Sequence, residues 1–169
     1  LKYNDKYPKH NILWLCETKS ILYEQFEKIT RNGYGDIFKR FNVLRYFEFK
    51  QKDWYNSVNV SHFWNKPFLL IINRPFLTSA KNYLKIKSRI DFIIHDECHT
   101  ITNNTTKKFY KYILNKNNPK CIGFSATPYI DSEPYKEILS SYTIYDACIN
   151  NSILPPKIFW LNTEHELSD

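Results

Sequence analysis

Methionine is absent from the chain, and glycine occurs only three times in 169 residues, at positions 33, 35 and 123. A natural chain begins with Met, so a sequence opening on Leu1 is expected to be a piece of something longer. So few glycines leave no Gly-x-x-x-x-Gly-Lys-Ser/Thr loop, whose backbone N–H groups close around phosphates. Cys16, Cys98, Cys121 and Cys148 lie far apart and form no Cys-x-x-Cys pair, which speaks against a structural zinc site. Four cysteines in a chain of this length are no disulfide framework either, and they read as reduced thiols of an intracellular protein. No apolar run reaches about 18 residues, so no transmembrane helix is expected. The opening LKYNDKYPKH lacks the apolar core of a signal peptide.

What is present can build one domain. The chain is 43% hydrophobic, and thirteen Tyr, twelve Phe and four Trp supply bulk. A net charge of +7 and a pI near 9.1 favour anionic partners such as nucleic acid. The same lysine-rich, glycine-poor composition is also what an AT-rich genome, viral or protist, would encode.

Along the chain, apolar runs alternate with amphipathic stretches. NILWLCE at 11–17 reads as a buried strand, and the following residues 18–32 place Ile21, Leu22, Phe26 and Ile29 at helical spacing, with Thr18 as N-cap and Gly33 as stop. Strands are expected at 41–49, 67–72, 90–94 and from 120 to Phe124 or Ser125. Helices are expected at 78–86, 105–115 and in SEPYKEILSSY (132–142). Residues 50–66 fit no element, and Trp54, Tyr55 and Trp64 are read as packing residues before base-stacking ones. The alternation predicts an α/β fold, a three-layer parallel sheet with helices on both faces. In such sheets ligands bind beyond the carboxyl ends of the strands. The polar clusters ETK (17–19), HDECH (95–99) and SATP (125–128) each follow an apolar strand, so one site region is expected.

The densest chemistry is DFIIHDECHT, residues 91–100. His95 and His99 have the spacing of a helical zinc pair, but Asp96 stands where the general-base Glu would be. The approach reads as a strand, on which the two imidazoles would lie about 13 Å apart. A bulky apolar strand ending in Asp-Glu suits nucleotide hydrolysis better. The first carboxylate holds Mg²⁺ through its water shell, and the second takes a proton from the attacking water.

Taken with SATP downstream, these residues resemble superfamily 2 DExH-box helicases and translocases, of the restriction-enzyme motor subunit and UvrB-like group. HDECHT resembles motif II and GFSATP motif III. ILWLCETKSILYEQF is similar to motif Ia, FLLIINRPFL to motif Ic, and YDACINNSILPPKI to the exit from the first RecA-like domain. The likeness spans about residues 11–158. It implies a partial RecA-like P-loop NTPase domain over 1–156, with 157–169 a linker or the start of the next domain. It implies ATP and Mg²⁺ as cofactors, DNA or RNA as partner, no membrane, and a second RecA-like domain in the parent chain. Asp96 would coordinate Mg²⁺ and Glu97 would be the catalytic base. His99 would link the ATP site to Ser125 and Thr127, which couple hydrolysis to movement. Thr18, Lys19, Asn73 and Arg74 would contact the nucleic-acid backbone. Glu17 departs from the family, which usually has Pro there. The phosphate-binding loop, which the family places upstream of motif Ia, is missing, so the chain alone is expected to bind ATP poorly and not to turn it over. Two other readings remain open: a non-catalytic nucleic-acid-binding module, and a metal hydrolase using His95 and His99.

Overall fold

Apolar runs of five or six residues form the centre of the molecule. The computed structural model describes residues 10–31, 37, 40–46, 54–59, 66–127 and 133–154. Its strands are β1 (Ile12–Cys16), β2 (Asn42–Tyr46), β3 (Phe68–Asn73), β4 (Phe92–Asp96) and β5 (Lys120–Phe124). They form one sheet in the order β2-β3-β1-β4-β5, and every pairing is parallel. Their carboxyl ends therefore share one edge, which brings residues 17–19, 73–74, 96–99 and 125–127 to the same side.

Side chains alternate across the strands and both faces are covered, giving the expected three layers. On one face Leu13, Leu15, Phe68, Leu70, Ile72 and Ile93 pack with Trp54 and Val58 of α2 (Trp54–Asn59), Phe76 and Leu77 of α3 (Arg74–Thr78), and Phe109, Tyr110 and Ile113 of α4 (Asn104–Asn117). On the other, Cys16, Leu69 and Ile71 meet Leu22 and Ile29 of α1 (Lys19–Arg31), together with Phe41. The α1 helix has Thr18 at its start, whose Oγ1 accepts from Ile21 N at 3.2 Å, and Lys28 and Arg31 in its last turn, where the dipole favours cations.

Several elements differ from the expected ones. The helix expected at 78–86 begins earlier, at Arg74, because Asn73 caps it and Pro75 in the first turn costs no hydrogen bond. It then breaks into a 3-10 stretch, Ser79–Lys85, where Ala80 and Lys81 adopt positive φ. Strand β4 runs to Asp96, so His95 and Asp96 lie within it. Residues 54–59 form a short helix whose Trp54 is buried against Tyr46, Tyr55 and Phe76. No helix forms over the described residues 133–142. Ile138 and Leu139 stay exposed there, so no buried apolar face offsets the cost of helix nucleation. Gly33, residues 47–49, Trp64, Pro128 and the expected boundary at 156–157 lie outside the described residues.

The compact units divide between Lys136 and Glu137. In the second unit, α5 (Ile144–Ile149) starts at a capping box in which the Thr143 and Asp146 side chains each bond the other's backbone N–H. No helix among the described residues is long and apolar enough to cross a membrane.

The amino ends of three strands are stitched by Asn11. Its Oδ1 accepts from Phe68 N at 3.1 Å, its Nδ2 donates to Arg89 O at 2.8 Å, and its backbone N–H donates to Asp91 Oδ2 at 3.0 Å. Asn11→Ala removes the two side-chain bonds and strands the Phe68 N–H, so a loss of about 1–3 kcal/mol is expected in denaturant unfolding.

Candidate functional site

Strand β4 presents its last residues in sequence order to the carboxyl edge. Ile93 and His95 face the core beside α4, and Asp96 ends the strand half-buried. Glu97 follows in the left-handed region, at φ 55° and ψ 50°. That conformation costs a non-glycine residue about 1–2 kcal/mol and turns the chain sharply into the 3-10 turn Cys98–Thr102. The Glu97 carbonyl accepts from both Thr100 N (3.1 Å) and Thr100 Oγ1 (3.0 Å), which holds the turn in place. Burial, and then the neighbouring Glu97 carboxylate, raise the Asp96 pKa. A carboxylate whose charge is disfavoured by burial and by an adjacent carboxylate makes a suitable setting for a divalent cation.

His99 sits in the turn. Its Nδ1 lies 3.0 Å from Ser125 Oγ, just past β5, and 3.3 Å from Glu97 Oε2. Ser125 Oγ also accepts from Thr127 N at 3.0 Å. Glu97, His99, Ser125 and Thr127 are thus joined across the ends of β4 and β5.

His95 is wholly buried. Its Nδ1 is 2.9 Å from Tyr110 Oη and 3.1 Å from Tyr135 Oη, and its Nε2 is 3.4 Å from Thr100 Oγ1. The two histidines are therefore committed to separate partners rather than paired toward one metal. Among the described residues no cluster of three or more His, Cys, Asp or Glu side chains is arranged to hold an ion.

At the end of β1, Thr18 and Lys19 are exposed, and Lys19 Nζ lies 5.8 Å from the Tyr23 ring centroid. The residues after β3 are differently placed. Asn73 caps α3 through Phe76 N and donates from Nδ2 to Glu17 O at 2.9 Å. Arg74 is only 6% exposed. Its guanidinium forms a two-pronged ion pair with Glu17, through Nε at 2.5 Å and through Nη2, and donates from Nη1 to Thr106 Oγ1 at 2.8 Å. The resemblance implied a backbone-contacting cation here, whereas the structure turns the Arg74 guanidinium inward onto Glu17 and Thr106. The signal available was Glu17 itself, an acid where the resembled family has Pro.

Buried Cys16, next to Glu17, has its thiol pKa pushed up to about 12 by burial and then by Asp96, so it is an inert packing group. Burial, followed by the Arg74 and His99 charges, lowers the His95 pKa from 6.5 to about 3. The groups facing it, Tyr110, Tyr135 and Thr100, are neutral hydroxyls, so nothing favours the imidazolium. An unfolded His binds a proton below about pH 6.5, whereas the folded ring does not until about pH 3, so stability falls as pH drops through that window. Between pH 7 and 5 the wild type is expected to lose on the order of 1–2 kcal/mol more than His95→Gln, measured by urea unfolding at each pH.

A family model described as "Type III restriction enzyme, res subunit" matches residues 1–130, which takes in Asp96, Glu97, His99, Ser125 and Thr127 and ends before Tyr135. No curated protein matches the chain significantly.

Proposed function

We propose that this chain, which belongs to the type III restriction enzyme res subunit family of helicase-like ATPase motors, supplies the metal-and-base half of an ATP-driven DExH-type motor acting on DNA or RNA. The observation carrying this reading is the Asp96–Glu97 pair at the end of a buried parallel strand, joined through His99 to Ser125. Asp96 would hold Mg²⁺ through its water shell, and the raised Asp96 pKa beside Glu97 fits a site that a cation relieves. When bound, Mg²⁺ neutralises charge on the β- and γ-phosphates of ATP. Glu97 accepts the proton of the attacking water. His99 carries the state of that site to Ser125 and Thr127. The sequence has no glycine-rich phosphate loop, so we assign the grip on the phosphates to residues beyond this chain in a longer protein.

We assign nucleic-acid backbone contact to Thr18 and Lys19, which are exposed at the start of a helix with no acidic residue in its first turn. Asn73 and Arg74 act one step behind, holding the Glu17 turn that presents them.

In the longer motor, Glu97→Gln is expected to lower ATP turnover about 10²–10⁴-fold while leaving nucleotide affinity intact. Lost affinity with unchanged turnover would contradict the assignment. Salt titrations of single-stranded oligonucleotide binding separate the two kinds of cation. Lys19→Ala should reduce the slope of log K against log salt by about 0.7, one phosphate contact. Arg74→Met should leave that slope unchanged and lower stability by up to about 3 kcal/mol, because it strands the Glu17 carboxylate. A slope that falls for Arg74→Met would return Arg74 to the phosphate contacts.

A further inference from the structure

The hydrogen bonds around His95 run in one direction. Thr100 Oγ1 gives its only proton to the Glu97 carbonyl, so toward His95 it can only accept. That makes Nε2 the protonated ring nitrogen and leaves a lone pair on Nδ1. Two phenols compete for that lone pair, and Tyr110 has the shorter contact, 2.9 Å against 3.1 Å for Tyr135. Tyr135 then donates to Tyr110, whose oxygen is 2.9 Å away. Tyr135, Tyr110, His95 and Thr100 thus form a chain of donors that ends on the backbone carbonyl of Glu97.

A second observation shows that this arrangement is built into the sheet. In register, His95 of β4 pairs with Gly123 of β5. A Cβ at Gly123 would lie 2.6 Å from Cys98 Sγ and 2.9 Å from Tyr135 Cε1. Only a residue without a side chain lets the turn after Glu97 and the ring of Tyr135 close on β5 together. Tyr135 belongs to the segment that follows Ser125–Thr127, so the chain joins that segment to the turn of Glu97 by a path independent of His99 and Ser125.

We propose that His95, Tyr110, Tyr135 and Thr100 are positioning residues for Glu97: docking of Tyr135 against Gly123 fixes the imidazole, and through Thr100 the imidazole fixes the left-handed backbone that aims the Glu97 carboxylate. Undocking Tyr135 leaves Nδ1 with one phenol instead of two and takes from Tyr110 the phenol that donates to it. The ring can then turn, and the weak Nε2 contact to Thr100 is the first to go. The strained Glu97 turn thereby loses part of its support. The proposal rests on reading Glu97 as the base.

The test uses the full-length motor and reads kcat, the ATP KM and hydrogen exchange. Tyr135→Phe and Thr100→Val are each expected to lower kcat about tenfold with KM unchanged, the pattern of a misplaced catalytic group. The double variant should be no slower than the slower single one, because both break one chain. Thr100→Ser, which keeps the hydroxyl, should restore kcat. Tyr135→Phe should also speed amide exchange at Thr100, whose N–H bonds the Glu97 carbonyl. Wild-type kcat in Tyr135→Phe, multiplicative losses in the double variant, failed rescue by Thr100→Ser, or unchanged Thr100 exchange would each overturn the proposal. Glu97→Gln in the same assay keeps the two readings apart. If it leaves turnover intact, the base assignment fails and this proposal with it. If it stops turnover while Tyr135→Phe does not slow it, only the positioning chain fails.

Discussion

The parallel register of β4 between β1 and β5 is the constraint on which the site depends. Side chains on a strand alternate with period two, so a slip of one residue would exchange their faces. His95 would leave the pocket made by Tyr110 and Tyr135, and the Asp96 carboxylate would enter it. The register is held along both edges, by Ile12–Leu15 against Phe92–His95 and by Phe92–Asp96 against Lys120–Phe124. Asn11 holds it again from the amino end, where its carbonyl accepts from Asp91 N and Phe92 N. Because all five strands run the same way, that single alignment also carries the ends of β1, β3 and β5 to the edge where Asp96 emerges.

The Glu17–Arg74 pair shows a polar interaction serving geometry. A largely buried ion pair gives little net stability, since desolvation offsets most of the attraction, but removing one partner is costly. Here the pair joins the turn after β1 to the turn after β3, and Asn73 adds a bond to the same Glu17 backbone. A proline at position 17 would preset that turn through its fixed φ. With Glu17 the turn is set from outside, by a guanidinium anchored on Thr106 of α4. The solvent-facing residues that follow, Thr18 and Lys19, inherit their placement from it.

Elements whose signal is local were legible in the sequence. The apolar runs of β1, β3 and β5 and the spacing of Ile21, Leu22, Phe26 and Ile29 point to the observed strands and helix, and the alternation points to a parallel sheet. The α3 helix was legible in hindsight from Asn73-Arg74-Pro75, a cap and a first-turn proline, but a five-residue helix has too little periodicity to announce itself. The stretch at 133–142 misled in the opposite way. Its composition suits a helix, yet helix formation there depends on a packing surface that composition does not encode. Within the site, Asp96, Glu97, His99 and Ser125 stood out because they are polar residues beside apolar runs. The burial of Arg74 did not, since one sequence cannot show which acid lies opposite a cation fifty-seven positions away.

His95 was the least legible residue for the same reason. Next to Asp96 it looks like part of an exposed polar motif, whereas the strand's alternation points it inward. An imidazole, two phenols and a threonine hydroxyl gathered in a core add only about 1 kcal/mol per bond over what they had in water. Apolar side chains of the same shape would serve stability as well or better. What apolar packing cannot supply is direction: with the Thr100 proton given to the Glu97 carbonyl, the order of donors inferred for this cluster leads from Tyr135 to Glu97. A buried polar chain that ends on the strained residue of a site, and is admitted by the one glycine of the neighbouring strand, is better accounted for by what it orients than by what it stabilises.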